Sequence, residues 1–509
     1  MEADHLGADD NADSGPPAPA GGVYRSAATA VVIAWSLRLI GLVSVLVLAR
    51  VLTPKDFGIL ALATSVLAVV DIFSALGLRQ ALLRIAKPER AHYDTAWTIQ
   101  LLVLSVLAAI LMAIGPLAAR FYDEPVLGTL IPLLAICFII DGLANIGVVD
   151  FERHLDFGRD LRMRLSVRLT SFAVTLSAAL ILQNYWALVI GTLLQSVLNA
   201  VASYIFHPFR PRFSLAKREE LLGVSLWMFL ASASQTIHSQ IEKIVVGRIA
   251  SRNVVGLYSV SKDLSSIFTV EIATALNRVT FVTTARTGRP LSADPDRLPA
   301  MLGAYALISA PLGLGLAATA DQALPLLLGP QWVDAAPFLS IIAPACALYA
   351  IYKLIVVTLQ ASGDARVAAL LSVAGAVSMI MVTATLALRG YGASAVAVGA
   401  LVATAMLLGS GIILLAQKAE IGVVRLLTSV ARPFVAATLM LLVLRTFDVG
   451  DIGPLALLAV KALAGAALFA GAVTALWFGQ GRPDGAEKII FAVVWRRSRT
   501  LLIDRFARM

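Results

Sequence analysis

The strongest constraint on this chain is a rhythm. Apolar stretches of about 20 residues, separated by short hinges that carry Arg and Lys, recur from Ala27 to Trp477, and each is long enough to cross the ~30 Å hydrocarbon layer as a helix. Lipid offers no partner to an open backbone, so the expected fold class is an all-α integral membrane protein. With 59% hydrophobic residues, 14% charged residues and a mean hydropathy of +0.84, the apolar surface exceeds what one water-soluble core encloses. This composition argues against a soluble enzyme.

Apolar windows mark about fourteen transmembrane helices. They fall near 27–51, 57–78, 95–119, 126–147, 164–183, 186–207, 222–246, 254–283, 299–320, 336–361, 366–388, 392–416, 430–446 and 454–478. Cytoplasmic loops collect Lys and Arg. With the N-terminus inside, the inner hinges hold Arg79, Arg84, Lys87 and Arg90, then Arg153, Arg159, Arg162 and Arg164, then Arg210, Arg212, Lys217 and Arg218, and later Arg286 and Arg289. The outer hinges are poorer in basic residues, and 321–334 has none. Both termini are therefore expected in the cytoplasm. The net charge of +9 follows from this loop asymmetry, and no nucleic-acid partner is expected.

Residues 1–23 have the composition of a disordered tail, and 479–509 form a basic tail whose end is either an amphipathic inner-leaflet helix or a solvated segment. The stretch 151–163 reads as an interfacial helix, and Trp97, Trp186, Trp332 and Trp477, at span ends, read as headgroup anchors. Cys137 and Cys346 both lie in spans and read as packing residues. The five histidines have no metal-ligand spacing, so no metal or other cofactor is expected beyond a coupling H+ or Na+.

No hinge exceeds about twenty residues, which leaves little room for a catalytic domain outside the membrane. The chain also resembles itself at an offset of 198. Arg50-Val51-Leu52 then Gly58-Ile59-Leu60 aligns with Arg248-Ile249-Ala250 then Gly256-Leu257-Tyr258, and Ser36 meets Ser234. A duplication of this kind predicts two six-helix lobes in parallel orientation around a central cleft. The boundaries are 24–207 for the first lobe, 208–221 for a cytoplasmic linker, 222–416 for the second lobe, and 417–478 for two further helices.

The run Arg50-Val51-Leu52-Thr53-Pro54-Lys55-Asp56-Phe57-Gly58, within 48–61, resembles the first hairpin of the Wzx-type polysaccharide flippases. These form the polysaccharide transport family of the multidrug/oligosaccharidyl-lipid/polysaccharide exporter superfamily. Glu152-Arg153-His154-Leu155-Asp156-Phe157, Glu242-Lys243-Ile244-Val245-Val246-Gly247-Arg248 and Leu359-Gln360-Ala361-Ser362-Gly363-Asp364-Ala365-Arg366 resemble the same family, over about 24–418. The resemblance implies a non-enzymatic flippase of the bacterial inner membrane. It would move undecaprenyl-diphosphate-linked oligosaccharide repeat units to the periplasmic face by alternating access, for exopolysaccharide, O-antigen or capsule assembly. A monomer is expected, with a polysaccharide polymerase and co-polymerase as candidate partners. Family members often have Asp where this chain has Glu242. The rival readings are a cation-coupled multidrug exporter of the same superfamily and a membrane glycan polymerase, which would need a large outer loop.

An ionised side chain near the bilayer centre costs about 2.5–3.5 kcal/mol on insertion scales, so such residues point to a wet path or a partner. Arg38, Lys262 and Lys353 are the candidate cavity cations for a diphosphate. Arg38 has a structural alternative, an ion pair with Asp71. Gln235, His238 and Glu242 recur at spacings of three and four and share one helix face. That face either lines the cavity, for sugar hydroxyls or a coupling ion, or belongs to an internal Glu242/Lys243 network. Asp71 and Asp141 are further carboxylates for ion coupling.

Overall fold

The computed structural model describes residues 38–74, 77–85, 87–154, 156–221, 226–270, 295–446, 453–482 and 485–488. The tails 1–23 and 489–509, the start of the first span, and 271–294 with Arg286 and Arg289 lie outside the described residues.

Among the described residues every regular element is helical. In chain order they are α1 (38–51), α2 (Pro54–Asp71), α3 (Leu78–Arg84), α4 (Arg90–Tyr122), α5 (Leu127–Gly142), α6 (Val149–Arg153), α7 (Phe157–Leu182), α8 (Trp186–Phe206), α9 (Arg218–Leu221), α10 (Leu226–Ile249) and α11 (Arg252–Phe268). There follow α12 (Arg297–Ala318), α13 (Ala320–Leu327), α14 (Ala336–Ala361), α15 (Ala365–Leu388), α16 (Ala393–Ala419), α17 (Val423–Thr446) and α18 (Pro454–Gly479). Ten helices among the described residues are long and apolar enough to cross a membrane, or eleven when Leu127–Gly142 and Ile146–Arg153, bent by 67°, form one span. Three other expected spans coincide with α1, described only in part, with α10, and with α11, which runs to the edge of 271–294. Helix α10 carries Gln235, His238, Gln240, Glu242 and Lys243.

Local chemistry sets the helix ends. Pro54 starts α2, where its missing N–H is no loss. The Thr53 N–H and hydroxyl both donate to Asp56 Oδ2, at 3.0 and 2.6 Å, closing a capping box. The other oxygen of Asp56 accepts the Tyr185 N–H at 2.9 Å, which ties the α7–α8 turn to the start of α2.

Helix α2 crosses α11 where neither has a side chain. A Cβ on Gly58 would lie 1.8 Å from the Arg252 carbonyl oxygen, and a Cβ on Gly256 would lie 1.8 Å from that of Pro54. Glycine is obligatory at such a backbone approach. The contact is reciprocal, because Pro54 and Arg252, like Gly58 and Gly256, are 198 residues apart. At the same end, the Trp332 indole donates to the Ala49 carbonyl at 2.8 Å and meets Phe57 edge-on at 5.3 Å. Arg50 reaches the final carbonyls of α13, at Leu326 and, 3.2 Å away, Leu327, a favourable place for a cation.

Several expectations need correction. Trp332 is fully buried and Trp97 and Trp477 are buried too, so they are internal wedges, whereas Trp186 is exposed. The stretch 151–163 is split between α6 and α7, and Phe151 and Met163 are buried with Val167 and Ala202. Helix α17 begins at Val423, not near 430: its first turn carries the exposed Arg425, bonded to Asp296 at the start of α12, and a hydropathy window leaves such a charged turn out. Arg432, two turns further on, pairs with Glu487 at 3.2 Å, both buried, so the chain beyond α18 returns to the bundle. Cys137 and Cys346 are buried, as expected of packing residues.

Candidate functional site

Three connected cavities and one neighbouring carboxylate cavity lie within the bundle. The largest, about 710 Å³, is lined by Arg38 on α1, Arg164 and Arg168 on α7, Gln195, Ser196 and Asn199 on α8, and Asp263 and Ser266 on α11. Arg164 and Arg168 are one helical turn apart and share a face. Arg168 donates to Gln195 Oε1 at 2.8 Å, and Arg164 is paired with Asp160 at 2.7 Å. Gly41 lets α1 come close, since a Cβ there would sit 3.0 Å from Arg168 Nη2.

This cavity shares Arg168, Gln195 and Asp263 with a second of about 320 Å³ that reaches toward the Gly58 crossing. Its wall is rich in hydroxyls: Ser44, Thr64, Ser171, Thr175, Thr192 and Ser259. Through Ser266 the largest cavity also adjoins one of about 360 Å³ in the second half of the chain. That chamber collects Gln235, His238, Glu242, Lys262 and Lys353, five of the residues singled out from the sequence. Asp71 and Asp141 line the carboxylate cavity, about 470 Å³, with Ser74 and Gln100, and Asp141 also reaches the Arg38 cavity. Arg38 and Asp71 thus line different cavities.

The polar face of α10 is built into a network. Glu242 Oε1 lies 2.9 Å from Lys262 Nζ, and Glu242 Oε2 accepts the Tyr258 hydroxyl at 2.5 Å. Lys262 also donates to the Ser239 carbonyl at 2.8 Å. Lys243 pairs with Asp263 at 2.9 Å, so the expected Glu242/Lys243 network is instead two parallel rungs between α10 and α11. His238 stacks on Tyr349 at 4.8 Å and 8°, and Tyr349 on Tyr352 at 5.7 Å, which fixes the imidazole against α14.

Arg168 escaped the sequence reading. Its signal in the sequence is an arginine inside a span four residues after Arg164, which the basic hinge before that span masks.

Ionised side chains that converge on cavities inside a helical membrane bundle mark a candidate path for a polar substrate or an ion. Residues 47–337, more than half of the chain, match the family described as "Polysaccharide biosynthesis protein". The chain belongs to that family, the Wzx-type polysaccharide transport proteins that its motifs resemble.

Among curated relatives, the lipopolysaccharide biosynthesis protein WzxC of Escherichia coli (strain K12) is 22% identical over 334 residues, covering 63% of this chain and 65% of that protein. The succinoglycan biosynthesis transport protein ExoT of Rhizobium meliloti (strain 1021) is 23% identical over 303 residues, covering 59% and 61%. The chain spans less than two thirds of the length of these relatives. Its fold is similar to that of the lipid II flippase MurJ in an inward closed conformation, with a TM-score of 0.68 and 15% identity over 89% of this chain and 99% of that one. An inward-facing multidrug resistance MATE family transporter aligns with a TM-score of 0.55 and 14% identity, over 77% and 99%.

Proposed function

We propose that this protein carries lipid-linked oligosaccharides, with a polyprenyl diphosphate anchor, from the cytoplasmic to the outer face of a bacterial inner membrane by alternating access. One observation carries the reading: Arg38, Arg164 and Arg168 share the wall of the largest cavity. Guanidinium groups on one wall suit a diphosphate, whose oxygens accept paired charge-assisted hydrogen bonds. The hydroxyl-lined chamber beyond Arg168 and the Gln235–His238 face of α10 supply donors and acceptors for sugar hydroxyls.

In this proposal α1–α8 and α10–α16 are the two lobes, related by the 198-residue offset, with both termini in the cytoplasm. The Gly58–Gly256 crossing, Arg50 and Trp332 then seal the outer end. The headgroup enters from the cytoplasmic side while the polyprenyl tail stays in lipid, and binding favours the outward state through contacts made better there. An inside-negative potential assists export of negative charge by about 2.3 kcal/mol per charge per 100 mV. Ion coupling, where it operates, falls to Asp71 and Asp141, because both oxygens of Glu242 are engaged. The protein acts as a monomer that hands its product to a polymerase.

The test is deletion of the gene with rescue by wild type, Arg38→Ala and Arg168→Ala, scoring polyprenyl-diphosphate-linked glycan on each face of the membrane. The deletion and both variants are expected to accumulate glycan on the cytoplasmic face while the variants reach wild-type abundance. Intact surface polysaccharide in the deletion would sink the assignment and favour small-molecule export.

A further inference from the structure

Two motif residues, Glu152 and Arg153, both hold one short helix. Glu152 grips Arg79 of α3 with its two oxygens, at 2.8 and 3.1 Å, a paired contact of fixed geometry. Arg153 donates to the carbonyls that close α3, at Ile85 and, 2.9 Å away, Leu82. The apolar side of α3 is buried as well, with Leu78 and Leu82 packed among Tyr93 and Trp97 of α4 and Val149 of α6. Helix α3 is therefore fixed to the first half of the chain.

Its other side walls a groove of about 310 Å³, lined by Gln80 and Arg84 of α3, Glu220 of α9, and Met228, Phe229 and Ser232 of α10. Phe229 meets Phe73, in the turn after α2, with ring centroids 6.3 Å apart, so the groove lies on the seam between the two halves of the chain. At Ser232 it adjoins the α10 chamber, whose wall includes the same residue. From there one face of α10 stays polar. Ser232, Gln235, Thr236, Ser239 and Glu242 recur at spacings of three and four and all line the chamber, and Lys243, next in the chain, lines the hydroxyl-rich cavity. This face runs about 16 Å along the helix, at 1.5 Å per residue, and links the groove to both cavities.

Charge sets what the groove admits. Glu220 has one oxygen engaged by His92 at 2.8 Å and the other by Lys217 at 2.9 Å, on the side of α4 and the linker, so the groove takes the positive sign of the exposed Arg84. Further in stand Lys353 and, past Ser266, the arginines of the largest cavity. We infer that the α3–α10 groove is the mouth of the α10 chamber and the entry subsite of an anionic headgroup, which meets Arg84 and Gln80 before it passes Ser232. That the headgroup is a lipid-linked diphosphate arriving from the cytoplasm rests on the function proposed above. That the groove leads inward and favours anions does not.

The test uses the purified full-length protein in lipid nanodiscs, with Cys346→Ala to remove the thiol that lines the chamber and Gln235→Cys as the reporter. Its labelling rate is measured with two methanethiosulfonate reagents of similar size, one a sulfonate and one a trimethylammonium, each scaled to its rate with a free thiol. The reporter is expected to react, and faster with the sulfonate. Arg84→Gln should lower the sulfonate rate about threefold, the effect of one charge at about 6 Å in water, and raise the trimethylammonium rate. Arg153→Ala, which releases α3 with Arg84 in place, should shift both rates in the same directions. Met228→Trp, which fills the groove from α10, and Ala81→Trp, from α3, should slow both reagents several-fold, while a reporter at Asn199 on the largest cavity keeps its rates. A reporter that fails to react, unchanged rates in both tryptophan variants, or an unchanged sulfonate preference in Arg84→Gln would overturn the proposal. Intact surface polysaccharide in the gene deletion would leave these rates as they are, so the mouth and the transport reading fail separately.

Discussion

At the scale of single residues, Glu242 is the informative case. Its spacing from Gln235 and His238 marks a polar helix face in the sequence, but its partners do not follow from that pattern. Lys262 and Tyr258 reach it only because α10 and α11 lie side by side, bringing residues 20 apart to the same level. Removing one member of a buried pair strands the other charge, at about 3–5 kcal/mol, and a hydrogen bond to a charged group adds about 1.5–3 kcal/mol. Glu242→Gln is therefore expected to lower the unfolding temperature of the purified protein clearly. The double variant Glu242→Gln with Lys262→Met should recover much of the loss, since no charge is then left unpaired. If Glu242 were instead the ion-coupling group, Glu242→Gln would stop transport at undiminished stability, and the double variant would restore nothing.

At the scale of elements, the apolar spans were legible wherever hydropathy and periodicity agreed. The window 336–361 coincides with α14, and 454–478 falls one residue short of α18. Windows failed where a helix runs past its apolar stretch into charged residues, as at the start of α17, whose exposed Arg425 bonds Asp296. The linker shows what a one-dimensional reading misses. The sequence marks it only as a linker between lobes, yet its backbone N–H groups at Arg212, Ser214 and Lys217 donate to Asp94, Thr98 and Thr95 on the first turns of α4, at 2.7, 3.0 and 3.3 Å. Glu220 completes the attachment, 2.8 Å from His92 and 2.9 Å from Lys217. His92 first, and then Lys217, hold its carboxyl below the usual carboxylate range. A depressed carboxyl pKa stabilises the docked linker above the unfolded value, and the contribution is lost as pH falls through the lowered one. Amide exchange in 208–221 should therefore be slow from pH 7 down to about 4 and faster below, relative to α4. Glu220→Gln should abolish that step; an unchanged profile in the variant would show that other contacts do the holding.

At the scale of the whole molecule, the reciprocal Gly58–Gly256 contact makes a symmetric prediction. Two helices whose backbones touch have no room for a methyl group, and the 1.8 Å approach on either side means that the rods must move apart to admit one. If this crossing seals the outer end, Gly58→Ala and Gly256→Ala should each weaken the seal by a similar amount, because each removes one half of the same contact. Behind it lie Thr64 and Ser259, both on the wall of the hydroxyl-lined cavity. A cysteine placed at either position should label slowly with a membrane-impermeant thiol reagent added from the outer face, and faster once either glycine is replaced. The native cysteines are buried and leave a low background. Labelling that rises for one alanine variant only would show that the two helices do not act as equivalent halves. Labelling unchanged in both would mean that Arg50 and Trp332 close the outer end without help from the crossing, and that the offset visible in the sequence records ancestry without marking the axis of motion.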